Sequence, residues 1–185
     1  INSGDVMLEA ALFYKKHAVQ PKMINDSTNF ILATVHRAEN TNDLNRLKNI
    51  IEALNEINIH KKIILPIHPR TKKILNNNNI KTKFMVIPPV SYFEMLWLIE
   101  RCDMIMTDSG GLQKEAYFFK KNSITLRDET EWKELVDNKF NVLTGANKTK
   151  IINAYFGFKF NKNFTTGLYG KGNSSQIVIN KLISY

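Results

Sequence analysis

Four short stretches carry side chains able to do chemistry, and each directly follows a short apolar run rich in β-branched residues. They are His36-Arg37-Ala38-Glu39-Asn40, His68-Pro69-Arg70, Asp108-Ser109-Gly110-Gly111 and Arg127-Asp128-Glu129-Thr130-Glu131. Pro88-Pro89-Val90 follows a fifth run. Three of the five Arg and two of the four His fall in these stretches. Arg presents a planar fork of donors that matches phosphate oxygens. Two glycines ahead of a helix let the backbone approach a ligand closely, and the unpaired N–H groups of a first helical turn suit an anion. With Arg37, Arg70 and Arg127 beside Ser109, Gly110 and Gly111, the favoured ligand is a phosphate or diphosphate. A plain tight turn is the alternative for the glycines. Glu115, four residues beyond Gly111, accepts hydrogen bonds only and suits the two hydroxyls of a ribose. It suits the helix N-terminus equally well. Val90, Tyr92 and Met95 are placed to wall a flat base, whereas Leu96, Trp97 and Ile99 read as core.

Two other chemistries have little support in these residues. His36, His68, Asp108 and Glu39 include no tight ligand pair such as two His at helical spacing, so no metal is expected. Ser109 lacks the Gly two places earlier that a nucleophile elbow has, and a Ser at a helix start more often caps it or donates to phosphate.

The elements that must position these groups alternate along the chain. Asp5 to Val19 has apolar residues near the helical period and stops before Pro21. Strands are expected at Phe30–Val35, Ile63–Ile67, Phe84–Ile87, Met104–Thr107 and Ser123–Leu126, with a sixth at Asn141–Leu143. Helices are expected at Leu44–Ile57, entered through Thr41, Asn42 and Asp43, at Arg70–Leu75, and at Ser91–Arg101. The last of these carries a capping box, Ser91 with Glu94. Further helices are expected at Leu112–Phe119, Ile151–Phe156 and Ser175–Ile183, and a turn or short helix at Glu131–Val136. Asn76 to Asn79 reads as a turn, and Gly157 to Asn173 as a connection over the surface. Such alternation gives a Rossmann-like, doubly wound parallel sheet of the α/β class. Ligands of such sheets bind outside the carboxyl ends of the strands, which is where the four stretches lie.

The 185 residues make one domain, long enough to bury about 70% of the surface of its unfolded chain without disulfide or metal. A single Cys102 excludes a disulfide framework. No apolar run approaches the roughly 20 residues of a membrane-spanning helix and no signal peptide opens the chain, so no membrane association and a cytoplasmic location are expected. The chain opens on Ile1 within an amphipathic pattern, so a piece of a longer protein is expected. The net charge of +9 invites a nucleic-acid reading. It arises from 21 dispersed Lys among 22 Asn and 21 Ile, the mark of an AT-rich genome rather than of a basic stripe. No nucleic-acid partner is expected.

The set His36-Arg37-x-Glu39-Asn40, Pro66-x-His68-Pro69, Asp108-Ser109-Gly110-Gly111-x-Gln113-x-Glu115-Ala116 and Arg127-Asp128-x-Thr130-Glu131 resembles the non-hydrolysing UDP-N-acetylglucosamine 2-epimerases. Gly4-Asp5-Val6-Met7 and Tyr169-Gly170-Lys171-Gly172 resemble that family's interdomain and closing segments. The resemblance implies the C-terminal, UDP-binding half of a two-domain GT-B fold. Residues 1–20 would be the interdomain region and 174–185 the closing helix, and the N-terminal domain carrying the catalytic acids would lie outside the chain.

It further implies a homodimer at full length, no cofactor, and an anti elimination of UDP to a 2-acetamidoglycal followed by re-addition, for polysaccharide precursors. On these residues His36 would be the active-site histidine. Ser109, Gly110 and Gly111 would hold phosphate, Glu115 the ribose, Arg127 the anionic part, and Val90 and Met95 the uracil. Arg37 and His68 would also bind substrate. Thr130-Glu131-Trp132-Lys133 departs from the Thr-Glu-Arg-Pro of many members and resembles the branch acting on UDP-2,3-diacetamido-2,3-dideoxyglucuronic acid. Both sugars stay open, as do a glycosyltransferase of the same architecture and a non-catalytic nucleotide-sugar sensor. The chain alone is expected to bind UDP weakly and not to epimerise.

Overall fold

Alternation of apolar side chains in four strands builds two cores at once. In a computed structural model, which describes residues 1–25, 29–164 and 167–184, β1 (Ile31–Thr34), β2 (Ile63–Pro66) and β4 (Met104–Thr107) are flanked by β3 (Met85–Ile87), β5 (Asn122–Thr125) and β6 (Asn141–Leu143). All five ladders are parallel, and the strand order is β3-β2-β1-β4-β5-β6. Ile31, Ala33, Ile63, Leu65 and Met106 point to one face; Leu32, Ile64 and Ile105 point to the other. Both faces are covered, which is why these strands read as continuous apolar runs.

The first face packs on α3 (Leu44–Ile57), through Leu47, Ile50, Ile51, Leu54 and Ile57, and on α8 (Lys148–Gly157) through Ile151 and Ala154. The second packs on α5 (Tyr92–Arg101), through Leu98 and Ile99, and on α6 (Gly110–Phe118) through Leu112 and Ala116. Beyond β6 a third cluster joins Tyr117, Leu135 of α7 (Lys133–Asp137), Phe140 and Tyr169. The doubly wound α/β expectation is met.

Boundaries differ from the periodicity in instructive places. The opening helix, α1 (Val6–Tyr14), tightens to a 3-10 turn over Lys15–His17 instead of running to Val19. A short helix, α2 (Ala38–Thr41), occupies what reads as loop after β1. Helix α4 (Pro69–Asn77) absorbs half of the Asn run, and the turn falls at Asn78–Asn79, where Asn79 has φ +53°. Asn tolerates that left-handed conformation better than most residues. Gly110 and Gly111 are the first two residues of α6 and do not precede it.

The stretch from Gly157 to the last helix, α9 (Ser174–Ile183), is irregular among its described residues, with Thr165 and Thr166 outside them. It is more than a surface strap, because Phe164 stacks on Phe140 at 4.7 Å and Tyr169 is buried. Tyr185, the end of the expected closing segment, lies outside the described residues.

The two chain ends meet on α6. Asp5 caps α1 and pairs with Lys114, a lysine only 5% exposed, whose ammonium lies 4.3 Å from the Trp132 ring centre and 5.3 Å from that of Tyr169. Glu9 accepts from the Ser175 backbone N–H, tying α1 to α9. No helix among the described residues is long and apolar enough to cross a membrane.

Candidate functional site

The strand order reverses direction between β1 and β4, so the loops leaving their carboxyl ends diverge and open a crevice there. Thr34 and Thr107 close its floor with a hydroxyl–hydroxyl bond of 2.6 Å. Above them lies a cavity of about 270 Å³. His36, His68, Val90, Met95, Ser109 and Glu115 line it, each delivered by a different piece of the fold. His36 leaves β1. His68 caps α4, its Nδ1 accepting from the Arg70 N–H at 3.2 Å, with Pro69 preset for the first helical turn. The capping box of Ser91 and Glu94 starts α5 and so aims Met95. Ser109 caps α6, accepting from the Leu112 N–H at 3.4 Å.

Asp108 holds this edge together and is fully buried. Its carboxylate accepts from the backbone N–H groups of His36 and Arg37, at 3.0 and 2.9 Å, and from Asn40 Nδ2 at 3.1 Å. Asn40, also fully buried, donates onward to the Leu126 carbonyl at 2.9 Å. One carboxylate thereby fastens the loops after β1, β4 and β5. A second buried network lies behind α6: Gln113 donates to the Ser109 carbonyl and accepts from Thr130 and Asn141, while Trp132 Nε1 donates to the Gly110 carbonyl at 2.9 Å. Reading residues by type missed Asp108, Asn40 and Gln113 as anchors. Their signal was position, a small polar group at the carboxyl end of an apolar strand or one turn into the helix after it.

Glu115 faces the cavity from α6, and burial raises its carboxyl above the usual range. The neighbouring Tyr92 hydroxyl partly offsets that rise, and burial together with the Glu115 charge pushes the phenol up to about 12. Glu115 lines the cavity, with Tyr92 beside it outside the wall, and its carboxylate can accept hydrogen bonds from a diol.

The arginines are distributed differently from the expected cluster. Arg37 reaches over α6, where a methyl group at Gly110 would sit 3.4 Å from both Arg37 Nη2 and Glu131 Oε2. Arg127 is 5% exposed, and its fork is filled by Glu131 through bonds of 3.0 to 3.2 Å, with Glu39 at 3.5 Å from Nε. Arg127 in turn holds the Glu131 carboxyl below the usual range. Arg70 bonds Asn42 on the outer surface. None of the three lines the cavity: Arg37 reaches toward Gly110, while carboxylate and amide groups of the chain engage Arg127 and Arg70. Gly110 and Gly111 sit at the start of α6 beside the cavity rather than in its wall, with Arg37 near one and Met7 near the other. Among the described residues no group of three His, Cys, Asp or Glu is placed to hold a metal ion. Burial pushes the Cys102 thiol up to about 12, so it is no nucleophile at neutral pH.

The sheet order 3-2-1-4-5-6 sets a helix start, two histidines and a buried carboxylate at its switch point, where doubly wound sheets take their ligands. The sequence profile of the UDP-N-acetylglucosamine 2-epimerase family matches residues 1–183. The chain belongs to that family.

Among curated epimerases, it is 50% identical over 153 residues to the UDP-2,3-diacetamido-2,3-dideoxy-D-glucuronate 2-epimerase of Pseudomonas aeruginosa, covering 82% of this chain and 43% of that one. It is 42% identical over 164 residues to the UDP-N-acetylglucosamine 2-epimerase of Methanocaldococcus jannaschii, covering 84% and 44%. The crystal structure of the M. jannaschii epimerase in complex with UDP-GlcNAc and UDP superposes with a TM-score of 0.85 at 38% identity, over 99% of this chain and 54% of that one. The chain thus spans about half the length of the epimerases it matches. The family resemblance carried by the sequence motifs is borne out.

Proposed function

We propose that this chain is the C-terminal, UDP-binding half of a GT-B-type UDP-sugar 2-epimerase. The observation that carries the reading is the convergence of His36, His68, Glu115 and the α6 N-terminus on one cavity at the switch point of the sheet. In this reading Val90 and Met95 face the uracil, Glu115 with Tyr92 takes the ribose, and the first turn of α6 with Ser109 and Arg37 takes the diphosphate. Arg127 reaches the anion only if Glu131 yields its fork.

The reaction begins when a base in the other half of the enzyme removes the proton at C2. The C–H electron pair forms the C1–C2 double bond while the C1–O bond breaks, and its electrons leave on UDP. Charge grows on the departing diphosphate, where fixed N–H and guanidinium donors stabilise it without reorganising. Re-addition of UDP at C1 and of a proton on the opposite face of C2 gives the epimer.

The 50% identity to the P. aeruginosa relative, with Trp132 standing where many members have Arg, favours a sugar bearing a C6 carboxylate over plain N-acetylglucosamine. Both sugars are to be offered to the full-length enzyme in deuterium oxide. Exchange at C2 with no need for an acceptor is expected, with NMR of the products choosing between them; a requirement for an acceptor would establish a transferase instead. His36→Ala should abolish exchange, and Arg127→Ala should weaken UDP binding or turnover. If neither change has an effect, the site is misplaced.

A further inference from the structure

The two oxygens of Asp108 have different tasks. Oδ2 accepts from the His36 N–H at 3.0 Å, the Arg37 N–H at 2.9 Å and Asn40 Nδ2 at 3.1 Å, and so carries most of what Asp108 contributes to holding the β1 loop. Oδ1 accepts only from the His36 N–H, at 3.1 Å, and lies 3.4 Å from Nδ1 of the His36 ring. A neutral amide could hold the loop with one oxygen. Burying a full negative charge is costly unless its charge is used. The part of the carboxylate that an amide cannot replace is the oxygen facing the imidazole.

We propose that Asp108 is a positioning residue that fixes the tautomer of His36, holding the neutral ring as its Nδ1–H form and leaving Nε2 free toward the cavity. The tautomer of an imidazole is set by the partner of its other nitrogen, and an acceptor-only carboxylate at Nδ1 requires a proton there. His36 reaches the cavity with a side chain 41% exposed, while Asp108 is fully buried, so Asp108 acts through the ring rather than on a ligand. This inference rests on the reading of His36 as the group that meets the substrate, and its first test does not.

The full-length enzyme labelled with ¹⁵N-histidine, with His36 assigned through His36→Gln, reports the tautomer directly. Wild type should show protonated Nδ1 and bare Nε2. Asp108→Asn is isosteric: its amide oxygen keeps the three donors at the Oδ2 position, the His36 N–H retaining only that bond at 3.0 Å, and its NH₂ faces Nδ1, so the ring should switch to the Nε2–H tautomer. Its kcat should fall by about 100-fold or more, as when a catalytic histidine is held in the wrong tautomer, with KM changing less than about threefold. An Nε2–H tautomer in wild type overturns the proposal even if Asp108→Asn fails to fold. So does a folded variant that keeps the wild-type tautomer, or one whose defect lies in KM alone. Absence of C2 exchange by wild type with either sugar would instead sink the epimerase reading and leave the tautomer result standing.

Discussion

Glu115 shows how a single side chain can be costly to the fold and useful to the site. Its carboxyl is raised by burial, so its charged form is disfavoured in the folded chain. Below the ordinary Glu value of about 4.3 both folded and unfolded chains hold the proton and no cost arises. As pH rises past that value the unfolded chain ionises first, and the folded chain loses stability relative to it until Glu115 also ionises. Glu115→Gln keeps an acceptor for Tyr92 and removes the charge. Its melting temperature should exceed that of wild type at pH 7, and the gain should vanish near pH 3.5. Titration calorimetry should show weaker UDP binding by the same variant. A variant no more stable than wild type at pH 7 would mean that the burial cost is met by partners other than Tyr92.

Helix starts set the geometry of the cavity, and they are where sequence reading succeeds and fails at the level of elements. Short apolar runs located every strand, most clearly β1 and β2, which are buried on both faces, although the edge strands β3 and β6 are only partly buried. The Ser91–Glu94 box was legible because its spacing is local, and Ser91→Ala should cost about 1 kcal/mol in urea unfolding. The positions of His36 and Ser109 on the cavity were legible for the same reason, since one closely follows a strand and the other caps a helix. Arg127 was not, because its partners Glu131 and Glu39 depend on how two loops fold together. Nor was α2, four residues that the Asp108–Asn40 contacts hold as a helix where local propensity is weak. Gly145, on the loop after β6, has φ +60°, and a Cβ there would collide with the Asp128 carboxylate that receives Arg46 at 2.8 Å. Gly145→Ala should therefore cost about 1–2 kcal/mol by calorimetry; a neutral result would show that the turn relaxes.

At the scale of the whole molecule, the Asp5–Lys114 clasp fixes α1 to the helix that starts at the candidate anion site. The ammonium is enclosed by Trp132 and Tyr169. Removing one partner of a buried pair leaves an uncompensated charge, so Asp5→Ala should cost about 3 kcal/mol, or roughly 6–12 °C in melting temperature for a domain of this size. A shift under 2 °C would mean that solvent already reaches the lysine.

The seam between β1 and β4 has a consequence in time as well as in space. Its closing contact, Thr34 to Thr107, joins residues 73 positions apart, and the ladders on either side are parallel, so no hairpin brings the strands together early. Such topologies fold slowly, because long loops must close before their contacts contribute. The crevice is complete only once that seam has closed. A nucleotide bound there would slow unfolding in proportion to its occupancy and leave the refolding rate unchanged.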